Sequence, residues 1–262
     1  MTLSFANFIH SLSIPEACKL DKPIYKKMFI DNGVLTASDK AALKDDVGKI
    51  RWLYTLKPST INIAPYHDEE REYPEISILH IQLNSDKRVK RIANFINRSI
   101  PYPLILLFTV HQEDKDLMLV DLAPKRNSQA DKDKWVIEDD IITDWIDLDL
   151  LTVNSILKAF TDSISIEQLP VTNFHSLYTA FCDRVTALNC SEITGQFRLE
   201  ALVNSKSAEN RLQTLKAIKK LSAEKHEIAN RLRTEKNMGK QVELNTKIRA
   251  ITEKIQSLSE SL

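Results

Sequence analysis

The sequence predicts an α+β or α/β fold, with a mixed β-sheet body flanked by helices and a C-terminal helical region that forms a coiled-coil-like hairpin. Three observations predict it. A strand–helix–strand pattern runs from Glu75 to Val110. Helical periodicity replaces strand periodicity after Asp147. The segment Ser205–Leu262 lacks proline and aromatic residues and is rich in Lys, Glu, Leu and Ile, the composition of long exposed helices. The expected organisation is a body over 1–147, a helical segment packed on it over 148–204, and a basic helical appendage over 205–262.

Ser38 can cap a helix from about Asp39 to Gly48, with acids near its start. Ile50–Leu56 alternates apolar and polar residues and reads as a strand or the end of that helix. Pro58 and Ser59 break it, and Thr60–Ala64 is a second β-branched stretch. His67–Pro74 reads as a polar loop. Glu75–Leu83 places Ile76 and Ile78 on one face and Leu79, Ile81 and Leu83 on the other, a strand signal. In Asp86–Ser99, Val89, Ile92, Phe95 and Ile96 fall at helical spacing, and Pro101 and Pro103 end the helix. Leu104–Val110 is a continuous apolar strand, which completes a βαβ unit. Gln112–Asp116 is a charged turn, and Leu117–Leu122 returns as its antiparallel partner. Ala123–Lys134 reads as a loop and Trp135–Ile137 as a short strand, for a mixed sheet of about five or six strands. Leu148–Phe160 and Asn173–Cys190 read as helices, separated at Gln168–Val171.

Leu244, Ile248, Ile251, Ile255, Leu258 and Leu262 are spaced four, three, four, three and four, a heptad seam. Leu215, Ile218, Leu221, Ile228 and Leu232 form a less regular seam upstream, interrupted by Lys225. Gly239 lies between them. It predicts either a turn that makes an antiparallel hairpin or a continuous helix with a phase change, and the hairpin is the preferred reading. Leu244, Ile248, Ile251, Ile255 and Leu258 are the expected helix-interface residues. Aliphatic side chains at roughly 1.5–3 kcal/mol each call for a cover. That cover is the preceding helix, a second copy in a homodimer, or another protein.

Of 262 residues, 36 are basic and 36 acidic; 43% are apolar and 27% charged. These values exclude a disordered chain and a membrane bundle. Residues 201–262 hold 13 Lys+Arg against seven Glu, so this end carries +6 and the remainder −6. A basic tail on an acidic body suits an acidic partner, nucleic acid or an ordinary solvated helix surface. Met1–Pro15 has no basic start and no continuous apolar core, so no secretory signal is expected. The apolar run Leu104–Val110 is far short of the roughly 20 residues of a membrane span. Cys18, Cys182 and Cys190 form an odd, widely spaced set that fits a reducing cytoplasm.

The four glycines are too dispersed for a phosphate-cradling loop, and there is no GxSxG elbow. The six histidines lack zinc-site spacing. No catalytic residue, metal or cofactor is expected. A metal-dependent nuclease would need an acidic residue and an E-x-K on neighbouring strands. The E-x-K here, Glu113-Asp114-Lys115, falls in an expected turn; Glu75, Asp121 and Lys57 are the residues to clear by assay. The acidic run Glu138, Asp139, Asp140, Asp144, Asp147 and Asp149 reads as a cation site, a phosphate mimic or a solvated helix start. Lys87, Arg88, Lys90, Arg91 and Arg98 cluster on the helix between the two strongest strands. They are candidate nucleic-acid contacts, or a solvated face without interleaved exposed aromatics.

Several segments together resemble the bacterial family called domain of unknown function 4391. They are Pro23–Phe29, IRWLYTLKPSTINI at Ile50–Ile63, EISILHI at Glu75–Ile81, IPYP at Ile100–Pro103, and EKNMGKQVELN at Glu235–Asn245. The matching signature positions are Trp52, Lys57, Pro58, Thr60, Asn62, Glu75 and Pro101. Lys57, Asn62 and Glu75 form a candidate polar cluster if their strands are neighbours. The resemblance implies a setting beside helicases and DNA methyltransferases in phage-defence or restriction-like islands, and it supplies no catalytic residues. The expected function is a non-catalytic accessory subunit that docks to such a helicase or methyltransferase through its C-terminal helices. The alternatives are a nucleic-acid-binding module of the same system and a divergent metal-dependent nuclease.

Overall fold

In a computed structural model of the chain, residues 2–32, 35–128, 135–199 and 205–262 are described. The chain divides into two compact units, Met1–Val185 and Thr186–Leu262.

The first unit opens with helix α1 (Leu3–Ser11), which buries Phe5, Phe8 and Ile9. The apolar residues Phe5, Phe8, Ile9 and Leu12 recur at helical spacing. There follow β1 (Lys19–Ile24), α2 (Lys26–Asn32), α3 (Ala37–Asp45), β2 (Val47–Leu56), and the short helix α4 (Pro58–Ile61). Next come β3 (Tyr66–His67), β4 (Glu72–Tyr73), β5 (Ile76–Leu83), α5 (Val89–Ser99), β6 (Leu104–Gln112) and β7 (Lys115–Leu122). The sheet region closes with β8 (Lys125–Asn127), β9 (Trp135–Ile137), β10 (Ile141–Ile142) and β11 (Ile146–Asp147), before α6 (Ser155–Ser163) and α7 (Phe174–Thr194).

The main sheet has seven strands in the order β1-β2-β5-β6-β7-β10, with β11 also on β7. β5 and β6 pair parallel across the α5 crossover, and their neighbours pair antiparallel. The mixed sheet and its βαβ unit match the expected fold class. β8 and β9, which the sequence places in a loop and a lone strand, pair with each other outside the main sheet. Residues 129–134 of that expected loop lie outside the described residues.

Local chemistry explains three departures from the sequence reading. Helix α3 is capped by Thr36, whose hydroxyl accepts from the Asp39 amide while Asp39 returns a bond to the Thr36 amide. This reciprocal box starts the helix before Ser38. The stretch Thr60–Ala64 is not a strand. Pro58 occupies the first helical turn, where its missing N–H costs nothing, and Asn62 ends the turn at φ 53°. Helix α6 begins at Ser155, not Leu148, because the Asn154 side chain accepts from the amides of Ile156 and Leu157.

One face of the sheet packs α2, α3 and α5 through Phe29, Leu43, Ile92, Phe95 and Ile96 onto Leu79, Ile81, Leu106 and Phe108. Strands β5 and β6 are buried on both sides over most of their length, as a parallel pair requires.

The second unit contains α8 (Ser205–Thr234) and α9 (Met238–Ser259), which pack as a hairpin. The break falls at Glu235–Asn237, before Gly239. Asn237 caps α9 by accepting from the Lys240 amide at 3.1 Å, and Gly239 sits inside the first turn. Leu244, Ile248, Ile251, Ile255 and Leu258 are all half-buried, and no side chain of α9 is fully buried.

The β6–β7 hairpin turns on Glu113 and Asp114 at φ 49° and 62°. Both central residues of this two-residue turn are left-handed, the geometry that favours Asn-Gly. Replacing them as Glu113→Asn with Asp114→Gly is expected to stabilise the body by about 1–2 kcal/mol. Calorimetry should show the melting temperature rising by a few degrees, and an unchanged or lower value contradicts the assignment of strain here.

Candidate functional site

The doubly covered β5–β6 pair carries polar side chains where an apolar interior is the default. His80 and Gln82 alternate along β5, Thr109 and His111 along β6, and Asp116 lies opposite His111 on β7. Period two puts all of them on the face opposite the α5 layer. They line a cleft of about 170 Å³ together with Thr2, Phe5, Val110 and Leu148. His80 Nε2 lies 2.7 Å from the Thr109 hydroxyl, and the Phe5 ring stacks on the imidazole at 4.3 Å. Burial pushes His80 down to about 4, so it is neutral at pH 7. At the mouth, His111 Nδ1 and Asp116 Oδ1 are 2.8 Å apart. A carboxylate partner places the proton on Nδ1 and leaves Nε2 free. The cleft offers the neutral His80 imidazole, the Gln82 amide and the Asp116 carboxylate, which suits hydrogen bonding and does not suit anchoring a phosphate.

On the other face, Asp121 of β7 is fully buried and accepts from the Asn97 amide of α5 at 2.8 Å. Burial, then the neighbouring Asp140 carboxylate, raises the Asp121 carboxyl well above the usual range. Two carboxyl groups in contact share a proton, and the buried one keeps it. Nearby, the Lys125 ammonium is buried and donates to the carbonyls of Ile100 and Tyr102 at 2.6 and 2.7 Å. Its burial lowers it to about 7. This lysine pins the Ile100–Pro103 turn, so α5 ends where β6 begins.

The other sequence-selected residues have mixed positions. Glu75 is half-buried; burial raises its carboxyl while the nearby Lys57 cation opposes the shift. Asn62 serves as the left-handed end of α4, outside any strand. The E-x-K residues occupy the β6–β7 hairpin, and Lys115 pairs with Asp147 at 3.1 Å. The acidic run is spread over separate partners: Glu138 on Arg71 at 2.7 Å, Asp140 by Asp121, Asp149 on the Ser4 hydroxyl at 2.9 Å. Among the described residues, no three His, Cys, Asp or Glu side chains come together as a metal site. Arg88 is held by Asp46 and Asp45, and Arg91 and Arg98 both reach Asp39. Lys87 and Lys90 are exposed. The His111–Asp116 pair was available to sequence reasoning, because a two-residue turn at 113–114 sets those positions opposite each other. The Asp121–Asn97 contact joins a strand to a helix and leaves no local signal.

The buried groups make opposite pH predictions. His80 is depressed from about 6.5 in an unfolded chain, so its contribution is fully present above that value and is lost as pH falls toward about 4. The loss is about 3 kcal/mol. Denaturation of His80→Gln should show a smaller decline than the parent chain between those values; parallel curves contradict a buried neutral imidazole. Asp121 is raised, so its contribution is fully present below about pH 4 and falls as pH rises toward its elevated folded value. Asp121→Asn, an isostere that keeps the Asn97 bond, should gain stability relative to the parent as pH rises from 4 to 8; a pH-independent difference contradicts the protonated assignment.

No helix among the described residues is long and apolar enough to cross a membrane. No curated protein and no solved structure matches the chain. The family described as Domain of unknown function (DUF4391) matches residues 12–255. That match spans β1 through nearly all of α9, sheet and hairpin alike, and the chain therefore belongs to the domain of unknown function 4391 family.

Proposed function

We propose that the chain is a non-catalytic accessory subunit of a bacterial anti-phage or restriction-like defence system, docking to its helicase or methyltransferase through the C-terminal hairpin. The carrying observation is at the hairpin tip. Met238 is 80% exposed and Val242 62% exposed, four residues apart on the first turns of α9. Lys236 and Lys240 flank them. Glu235 and Glu243 lie beside the same lysine, Lys240, so the apolar pair has a rim of mixed charge and fits an apolar pocket with a polar rim.

The seam has a supporting part. Leu244, Ile248, Ile251, Ile255 and Leu258 are already half-covered within the hairpin. Completing their cover yields only about 1 kcal/mol each, against an association cost of about 4–15 kcal/mol. The seam therefore stiffens the hairpin, and the tip with the +6 charge of residues 201–262 supplies the contacts that select a partner.

The test is affinity purification of the full chain expressed from its native operon. The parent chain should retain a helicase or methyltransferase, and Met238→Asp with Val242→Asp should lose it while keeping the helical circular dichroism of the parent. A parent chain that purifies alone, or a variant that retains the partner in equal yield, overturns the reading.

A further inference from the structure

Helices α2, α3 and α5 form one layer on the sheet, and the outer side of that layer carries a cluster of basic residues. Residues 86–99 carry Lys87, Arg88, Lys90, Arg91 and Arg98 against the single carboxylate of Asp86. Lys90, Arg91, Asn94 and Arg98 are the exposed residues of one side of α5, since positions 90, 94 and 98 and positions 91, 94 and 98 fall three or four residues apart, and Lys87 lies in the turn that precedes the helix. At 1.5 Å per residue the helical part of this stripe, Lys90 to Arg98, is about 12 Å long.

Its guanidinium groups are fixed from beneath. The Asp39 side chain on α3 is only 3% exposed, yet it receives Arg91 at 3.0 Å and Arg98 at 3.5 Å, whose own side chains are 47% and 51% exposed. Burial opposes the Asp39 charge, but the Thr36 amide and hydroxyl and then Arg91 outweigh it and hold the carboxyl below its ordinary range. One buried anion thus orients two arginines and neutralises only one of them. A guanidinium has five donors, so each keeps N–H groups directed to solvent. Pre-orienting such long side chains removes much of the entropy cost of meeting an anion.

Some exposed lysines of the chain are held in ion pairs. Lys158 pairs with Asp162, Lys247 with Glu243 and Lys115 with Asp147. Lys87 and Lys90, with Lys40 and Lys44 on the adjoining α3, are exposed, and among the described residues no carboxylate lies within ion-pair distance of their ammonium groups. Phe95, the aromatic residue of α5, is fully buried, so the stripe offers charge without a stacking platform for unpaired bases.

We propose that the outer face of α5, extended by Lys40 and Lys44 of α3, is a binding surface for the phosphate backbone of duplex DNA. Arg88 is excluded from it, because Asp46 and Asp45 hold its guanidinium. Contacts are to phosphates, so binding is independent of base sequence. This surface lies within the first unit and does not depend on the hairpin tip.

The experiment measures binding of the full chain to a fluorescent mixed-sequence duplex from about 50 to 200 mM salt. Four contacts from Lys87, Lys90, Arg91 and Arg98 predict a slope of log K against log salt of about −3 to −4. Lys87→Gln with Lys90→Gln, which removes side chains without partners and leaves the fold intact, should weaken binding by about tenfold or more and make the slope shallower by about 2. Arg88→Gln should leave the slope unchanged. No binding at the lowest salt, a lysine variant that binds like the parent, or an equal loss of slope in Arg88→Gln overturns the proposal. Binding to phosphatidylserine vesicles without binding to the duplex also overturns it.

Discussion

The parallel pairing of β5 with β6 is the constraint from which the rest of the first unit follows. A parallel pair needs a crossover, and α5 supplies it. The crossover covers one face with helices, and α1 contributes to the other through Phe5 on His80. Both strands are then closed to water over most of their length, so polar groups on them and on the neighbouring β7 and β8 look inward for partners, and the Ser77 hydroxyl of β5 finds none among the described residues. His80 takes Thr109, Asp121 takes Asn97, and Lys125 takes two backbone carbonyls. Each solution leaves a group in an unusual protonation state. Imidazole stays neutral, a carboxyl keeps its proton, and an ammonium sits near its titration point.

The same logic governs the helix layer with the opposite outcome. Asp39 and Asp46 are buried at the α3–α5 junction and are paid for by arginines that stand partly in water. Inside the sheet, burial removes charge; at this edge, burial of the anion fixes cations in place. In the hairpin of the second unit, α8 buries Arg211, which donates to the Arg198 carbonyl, whereas α9 has no fully buried side chain. The hairpin's helices cover each other's aliphatic rows incompletely, and its surface ion pairs, such as Lys247 with Glu243 and Arg249 with Glu253, are exposed and screened by water.

The periodic elements were legible in the sequence because burial leaves a pattern. EISILHIQL and LILLFTV announce β5 and β6, and Val89, Ile92, Phe95 and Ile96 announce α5. Local side-chain chemistry was read less well. Ser38 looks like a cap, but Thr36 has Asp39 three residues on and closes the box. TINIA is β-branched, yet Pro58 and a left-handed Asn62 wind its start into a turn. The basic cluster was visible as composition, whereas its anchoring was not, since Asp39 lies 52 residues from Arg91. The hairpin was anticipated, but Asn237, not Gly239, sets where α9 begins. The apolar tip formed by Met238 and Val242 depends on that boundary and had no separate signal.

Under the proposed function, the hairpin tip is covered by a partner. Hydrogen exchange over Met238–Leu244 measures this most directly, in the isolated chain and in the assembly recovered from the native operon. The account predicts that these amides exchange about tenfold or more slowly in the assembly, while β5 and β6 exchange equally in both. Equal rates at the tip in the two samples would contradict it.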